Sequence, residues 1–310
     1  MSGALFGILA AILLGINTIL IALAARWWGV WRTTASALTI AYIVLLGIAI
    51  ANGESIPLAN GGLSLLLVGL GLAAGLSYFA SHQGLKLGPV SVVSPIGSTT
   101  GAMTVVLAFL ILGERPSLVQ WIGIPLATAG VLLLSIVFNT KGQARLIGLG
   151  PLFAMLGVLT GAISNAVLRV PIREIGPVPA ITGQRTFTVA FVLLAWPFVV
   201  RAGRNERRIR AIPSTGVTPL PRELPTIASS RLGLKAWGLL VLVGVLDAAA
   251  FLAFAQGLVL APAWLIGLIS QSGRIIAILG GYLIFNERFA PTQWIGLGLT
   301  MAGLVLAVAG

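Results

Sequence analysis

The sequence predicts an all-α polytopic membrane protein with ten transmembrane helices, arranged as two inverted five-helix repeats. Three observations carry that expectation. Of 310 residues, 58% are hydrophobic and only 8% charged, whereas soluble domains run about 45–50% apolar and about 25% charged. The apolar residues form ten continuous runs, not the alternating strands of about 10 residues that build a membrane β-barrel. The chain also resembles itself at an offset of 173 residues. Such a composition excludes a soluble enzyme, a disordered chain and a nucleic-acid-binding domain.

A helix crossing about 30 Å of hydrocarbon needs about 20 mostly apolar residues. Runs of that kind occupy 3–25, 33–51, 62–85, 89–112, 117–138, 147–168, 178–200, 235–259, 262–285 and 290–309. The first is read as a retained helix. No Lys or Arg precedes it, and it exceeds the usual 7–15-residue core of a signal peptide. The fourth opens with Gly88-Pro89 and the ninth with Ala261-Pro262, prolines that a first helical turn tolerates. Pro95 lies inside the fourth, where it predicts a kink that turns a freed carbonyl inward. Between the seventh and eighth, residues 201–234 hold seven arginines and four prolines. That stretch has no means of building a core and is expected to be a mobile surface segment.

The net charge of +12 follows the same segmentation. Fourteen basic residues, among them Arg26, Lys86, Lys141 and Arg288, lie after odd-numbered segments, against Arg115, Arg169 and Arg173 on the other side. The positive-inside rule puts the 201–234 loop in the cytoplasm and both termini outside a cell (inner) membrane. This explains the basic residues without nucleic acid. The chain has no cysteine and one histidine, so neither a disulfide framework nor a metal site nor another cofactor is expected.

Adding 173 converts Gln83-Gly84-Leu85 into Gln256-Gly257-Leu258, and Glu114-Arg115 into Glu287-Arg288. Gln120-Trp121-Ile122-Gly123 becomes Gln293-Trp294-Ile295-Gly296. Seventeen of 49 positions between 83 and 131 are identical without a gap. Shared hydrophobicity alone would not align Gln, Glu, Arg, Trp and Pro. Asn17 meets Asn165 at a shorter offset near 148, a change that the longer 201–234 loop accounts for. Two repeats, 1–138 and 139–310, are therefore expected. Five helices is an odd number, so the second repeat enters the membrane upside down. That layout recurs in secondary transporters, with the substrate site near the midplane between the halves.

The duplication, Gly88-Pro89, and the run from Glu114 through Gln120-x-x-Gly123 to Ala129-Gly130 resemble EamA-type permeases of the drug/metabolite transporter superfamily. Glu287 to Gly303 repeats the pattern, so the resemblance covers essentially the whole chain. It implies a central cavity formed by both halves and a small-metabolite cargo, with amino acids and nucleosides among the candidates. It also implies cytoplasmic termini, the opposite of the charge count.

Helical periodicity gives the candidate site. Ser91, Ser94, Ser98 and Gly101 form one stripe of the fourth segment, and the repeat maps them onto Trp264, Gly267, Gln271 and Arg274 of the ninth. Lipid satisfies none of their polar groups, so these stripes face protein or a water-filled cavity. Arg274 and Asp247 lie near the centres of neighbouring segments and are expected to pair across them. Arg274 would hold a substrate carboxylate in bidentate fashion. Asp247 would meet an amine or act as a protonation switch. Tyr78, Phe251 and Trp264 would form an aromatic wall, Asn17 and Asn165 would add hydrogen bonds, and His82 is a candidate for proton coupling. Arg185 is expected to snorkel towards the near end of its helix. Glu114 and Glu287 read as caps on the following helices or as a gate latch, not as substrate ligands.

These features together point to a secondary transporter, an exporter of small organic metabolites such as amino acids, and not to an enzyme. Its expected partners are a small-molecule substrate, the lipid bilayer and protons, as a monomer or homodimer. The alternatives are a flippase for a lipid or lipid-linked sugar and an intramembrane enzyme. For the last, Asp247, His82 and the serines offer no clustered acid/base pair.

Overall fold

The structure is a computed structural model that describes residues 2–55, 61–87, 96–135, 149–209, 234–273, 275–276 and 291–309. Those residues form eleven helices and no strand. In chain order they are α1 (Ser2–Trp28), α2 (Val30–Ala51), α3 (Gly61–Leu87), α4 (Thr100–Leu112), α5 (Leu118–Ser135), α6 (Gly150–Val167), α7 (Arg169–Ile175), α8 (Pro177–Ile209), α9 (Leu234–Leu260), α10 (Ala263–Gln271) and α11 (Pro291–Ala309). In hydrocarbon every backbone N–H and C=O needs a partner within the chain, and a helix supplies it locally. Six stretches are long and apolar enough to cross a membrane: Ser2–Ala25, Trp31–Ala51, Gly61–Gly84, Gly150–Ile175, Pro177–Pro197 and Ala236–Leu260. Thr100–Leu112, Leu118–Leu133 and Trp294–Ala309 are shorter apolar helices. The fourth and ninth expected segments fall partly outside the described residues, as does Pro95.

Two expected boundaries move. The sixth segment does not stop at 168. Leu168 breaks the helix for one residue and the chain continues as α7 to Ile175. Pro171 is the physical cause, since it has no N–H to donate to the carbonyl four residues earlier. The seventh continues as helix through Ile209, into the basic stretch expected to be irregular, because Arg, Ala and Glu are competent helix formers in water. The rest of that stretch, 210–233, lies outside the described residues.

The outer surface is apolar, as lipid contact requires: Leu65, Leu118 and Leu194 are each more than 70% exposed. The interior is built largely from alanine, including Ala10, Ala41, Ala108, Ala180, Ala255 and Ala307, and from glycines that let helices approach closely. The main packing partners are α5 with α11, α3 with α6, α1 with α9, α3 with α8, α2 with α9, α4 with α10, α4 with α6 and α1 with α10. At the α5–α11 contact, a Cβ on Gly123 would lie 2.7 Å from the Gly303 carbonyl oxygen, and one on Gly130 would lie 2.7 Å from that of Gly296.

The start of α5 is closed by a capping box. The Ser117 N–H donates to Gln120 Oε1 at 2.7 Å, and the Gln120 N–H donates to Ser117 Oγ at 3.3 Å. Replacing Ser117 by Ala is expected to cost about 0.5–2 kcal/mol of stability, read as a lower unfolding temperature in detergent.

Candidate functional site

The polar centre of the molecule is organised by α8. Its span, Pro177–Pro197, is the least apolar and the most buried of the six. Polar groups in a membrane helix turn towards protein because lipid offers them no partner. Here Thr182, Gln184, Arg185 and Thr188 are all buried. Arg185 Nη2 donates to Asp247 Oδ2 at 2.9 Å, with the two side chains 2% and 9% exposed. The guanidinium carbon sits 3.9 Å from the centre of the Phe251 ring. Asp247 and Phe251 are one turn apart on α9, which lets one arginine engage both. Tyr78 Oη of α3 and Asn17 Nδ2 of α1 complete the group, each at 3.5 Å, from Arg185 Nη1 and Asp247 Oδ1 respectively.

A second chain of hydrogen bonds runs beside it. Gln184 Nε2 donates to Ser164 Oγ at 2.6 Å, and that hydroxyl donates to the Leu70 carbonyl at 3.1 Å. The Thr188 hydroxyl bonds the Gln184 carbonyl at 3.0 Å. Asn17 Oδ1, Gln184 Oε1 and Arg185 Nε are buried without a hydrogen-bond partner among the described residues. They leave bonding capacity at the centre of the bundle. Phe251 also lines a cavity of about 40 Å³ with Leu14, Asn165, Phe254, Ser270 and Gln271. Four helices contribute to it: α1, α6, α9 and α10.

The structure therefore gathers Asn17, Tyr78, Asp247 and Phe251 around Arg185, and Asn165, Gln271 and Phe251 around the cavity. It also corrects several expectations. Asp247 pairs with Arg185; Arg274, its expected partner, lies outside the described residues, as does Ser94. Arg185 does not snorkel, because a carboxylate and an aromatic face reach it in the interior. Of the expected aromatic wall of Tyr78, Phe251 and Trp264, Phe251 lines the cavity and neither Tyr78 nor Trp264 does. Trp264 lies in the first turn of α10, two turns before Gln271, and is 2% exposed in the core; Phe254 takes its place. Ser98 is buried. His82 lies apart: its Nδ1–H donates to the Tyr78 carbonyl at 2.6 Å, and its Nε2 accepts from Thr34 at 3.2 Å. Both ring nitrogens are thus occupied in one neutral tautomer. Gln184 and Ser164 were not singled out in the sequence; the polarity of the seventh segment is the signal that marks Gln184, and Ser164 lies one residue before Asn165 in the sixth.

Glu114 does not cap the helix that follows it. Its carboxylate accepts the N–H groups of Ala263 at 3.0 Å and Trp264 at 3.1 Å, the first two residues of α10. It also pairs with Arg169 of α7. Gly113 sets this direction: it ends α4 at φ +65°, and the Glu114 N–H returns to the Ala108 carbonyl at 3.3 Å. Leu112, Gly113, Glu114, Arg169, Val170 and Arg173 line a cleft of about 270 Å³ beside this contact.

A bundle of apolar helices with a lipid-like exterior and a charged pair at its centre defines a multi-pass membrane protein. The model of the EamA-like transporter family matches residues 1–136 and again 148–309. The chain belongs to the EamA-like transporter family. It is 38% identical over 66 residues to a Sinorhizobium sp. protein named an uncharacterized transporter in the cobO 3' region. That match spans 21% of this chain and 47% of the relative, so the chain aligns with about half of the relative's length. A solved crystal structure superposes on 99% of this chain and 96% of its own, with a TM-score of 0.72 at 19% identity. At that identity the likeness is one of fold.

Proposed function

We propose that the chain is a secondary transporter of the inner membrane that exports small organic metabolites, amino acids first among them, by alternating access between two inverted repeats. The observation that carries this reading is the buried Arg185–Asp247 pair, set against the same Phe251 ring that walls the cavity. A zwitterion matches that pair in both charges: its carboxylate suits Arg185, and its ammonium suits Asp247. Gln271, Ser270 and Asn165 would hydrogen-bond the remaining polar atoms, with the two phenylalanines against the apolar part.

The helix pairings support the inverted layout. Exchange the first five segments for the last five, and α1 with α9 becomes α6 with α3, while α2 with α9 becomes α8 with α3. Likewise Gly123 against Gly303 becomes Gly296 against Gly130. Each of these exchanged contacts exists. A cavity of about 40 Å³ has room for one or two water molecules, so cargo requires the helices around it to part. Export as the direction, and protons through Asp247 as the coupling ion, extend what the family resemblance implies.

The test is counterflow of radiolabelled amino acids in proteoliposomes. Internal cargo is expected to accelerate uptake of the same compound, with a preference for zwitterions over their decarboxylated or deaminated analogues. Equal rates in empty liposomes across an amino-acid panel would sink the reading, and movement of a fluorescent lipid instead would favour a flippase.

A further inference from the structure

We propose that Glu114 is a gating residue, the latch that holds the two halves together at the membrane face carrying the 113–117 turn. The purpose of such a latch rests on the transporter reading above; the contact itself does not. Glu114 belongs to the first half, whereas Arg169, Ala263 and Trp264, the three residues that hold its carboxylate, belong to the second. A local cap has no need of so distant a set of partners, and α5 already has its own in Ser117 and Gln120. The side chains of Arg169 and Glu114 are 11% and 9% exposed, so the pair is largely shielded from solvent while closed. An ionised carboxylate also suits the N-terminus of α10, where unpaired N–H groups and the helix dipole favour negative charge.

The latch is mechanically connected to the candidate site. It fixes the first turn of α10, and Ser270 and Gln271 at the other end of that short helix line the central cavity. A displacement of the α10 N-terminus is therefore transmitted over two turns of helix to the cavity wall. The adjacent cleft of about 270 Å³ provides water for the carboxylate and the guanidinium once they separate. Without that water, opening would strand two charges. Closed and open are then two discrete arrangements of one element, both satisfied, which is what a gate requires.

The natural chain has no cysteine, so a single Ser270→Cys substitution reports access to the cavity without background. In nanodiscs, modification of Ser270→Cys by a charged thiol reagent is expected to be slow. It should accelerate roughly tenfold or more when Glu114→Ala or Arg169→Gln is added, and less with Glu114→Gln, which keeps one acceptor. Spin labels at Arg115→Cys and Glu174→Cys should also move apart in Glu114→Ala. The control is Ser117→Ala, which weakens a cap but leaves the two halves joined. Unchanged access in Glu114→Ala overturns the proposal, and so does an equal acceleration by Ser117→Ala. Because labelling and distance need no cargo, failure of the amino-acid reading leaves these outcomes intact.

Discussion

Neutralising one member of the central pair, by Asp247→Asn or Arg185→Met, is expected to destabilise the protein by about 3–5 kcal/mol, because the remaining charge is stranded in the interior. Among the described residues Arg185 has one carboxylate partner, at 2.9 Å, and the Tyr78 and Asn17 contacts at 3.5 Å are too long to replace it. The double substitution Arg185→Met with Asp247→Leu removes both charges and fills the space with apolar atoms. It is expected to recover most of that stability, since a buried pair exchanged for hydrophobic residues is often neutral or better. Thermal unfolding in detergent measures both effects. Transport separates two roles for the pair. If it only holds α8 to α9, the double variant regains counterflow along with stability. If it meets the cargo, the double variant is stable and inactive, and that is the outcome expected here. A single variant cannot make this distinction, because loss of fold and loss of ligand look alike in a flux assay.

The parts of the molecule that were legible in the sequence are those that lipid dictates. Hydrocarbon demands apolar side chains outside and helices throughout, so segment positions follow from run length, and the ends of α2 and α9 fall close to those expected. The duplicated Gln-Trp-Ile-Gly and Ala-Gly blocks likewise marked the two helices that pack together as α5 and α11. Legibility stopped at pairings between helices. Periodicity places Asp247 on a face of α9 but does not say whether α8 or the ninth segment stands opposite, and Arg185 proved to be the neighbour at the right depth. The same limit applies to Glu114. A carboxylate before a helix start reads as a local cap, whereas the left-handed turn at Gly113 sends it to a helix about 150 residues away in the chain. Asn165 and Gln271 were expected to turn inward because a polar side chain inside a membrane segment has few places to go, and both line the cavity. Trp264 was misplaced because helical spacing gives a side chain its face and leaves its depth to the start of the helix.

Gly303→Ala tests the α5–α11 contact, and its expected sign runs against helix propensity. In an isolated helix alanine is favoured over glycine by about 1 kcal/mol. At position 303 a Cβ would lie 2.7 Å from both the Ala127 Cα and the Gly123 carbonyl oxygen, and backbone atoms have no rotamer by which to yield. The helices must separate along their whole contact, losing dispersion for every pair of atoms moved apart. The net expectation is a loss of at least about 1–3 kcal/mol, seen as a lower unfolding temperature and early aggregation on size exclusion. Gly298→Ala, five residues earlier on the same helix and with nothing within 4 Å of its Cβ, is expected to be neutral or stabilising. Opposite signs at 298 and 303 would establish close packing as the reason for glycine at 303. Gly130→Ala, facing the Gly296 carbonyl from the other helix, should repeat the 303 result. The double variant Gly130→Ala with Gly303→Ala should cost less than the sum of the two, since helices parted by the first Cβ already have room for the second.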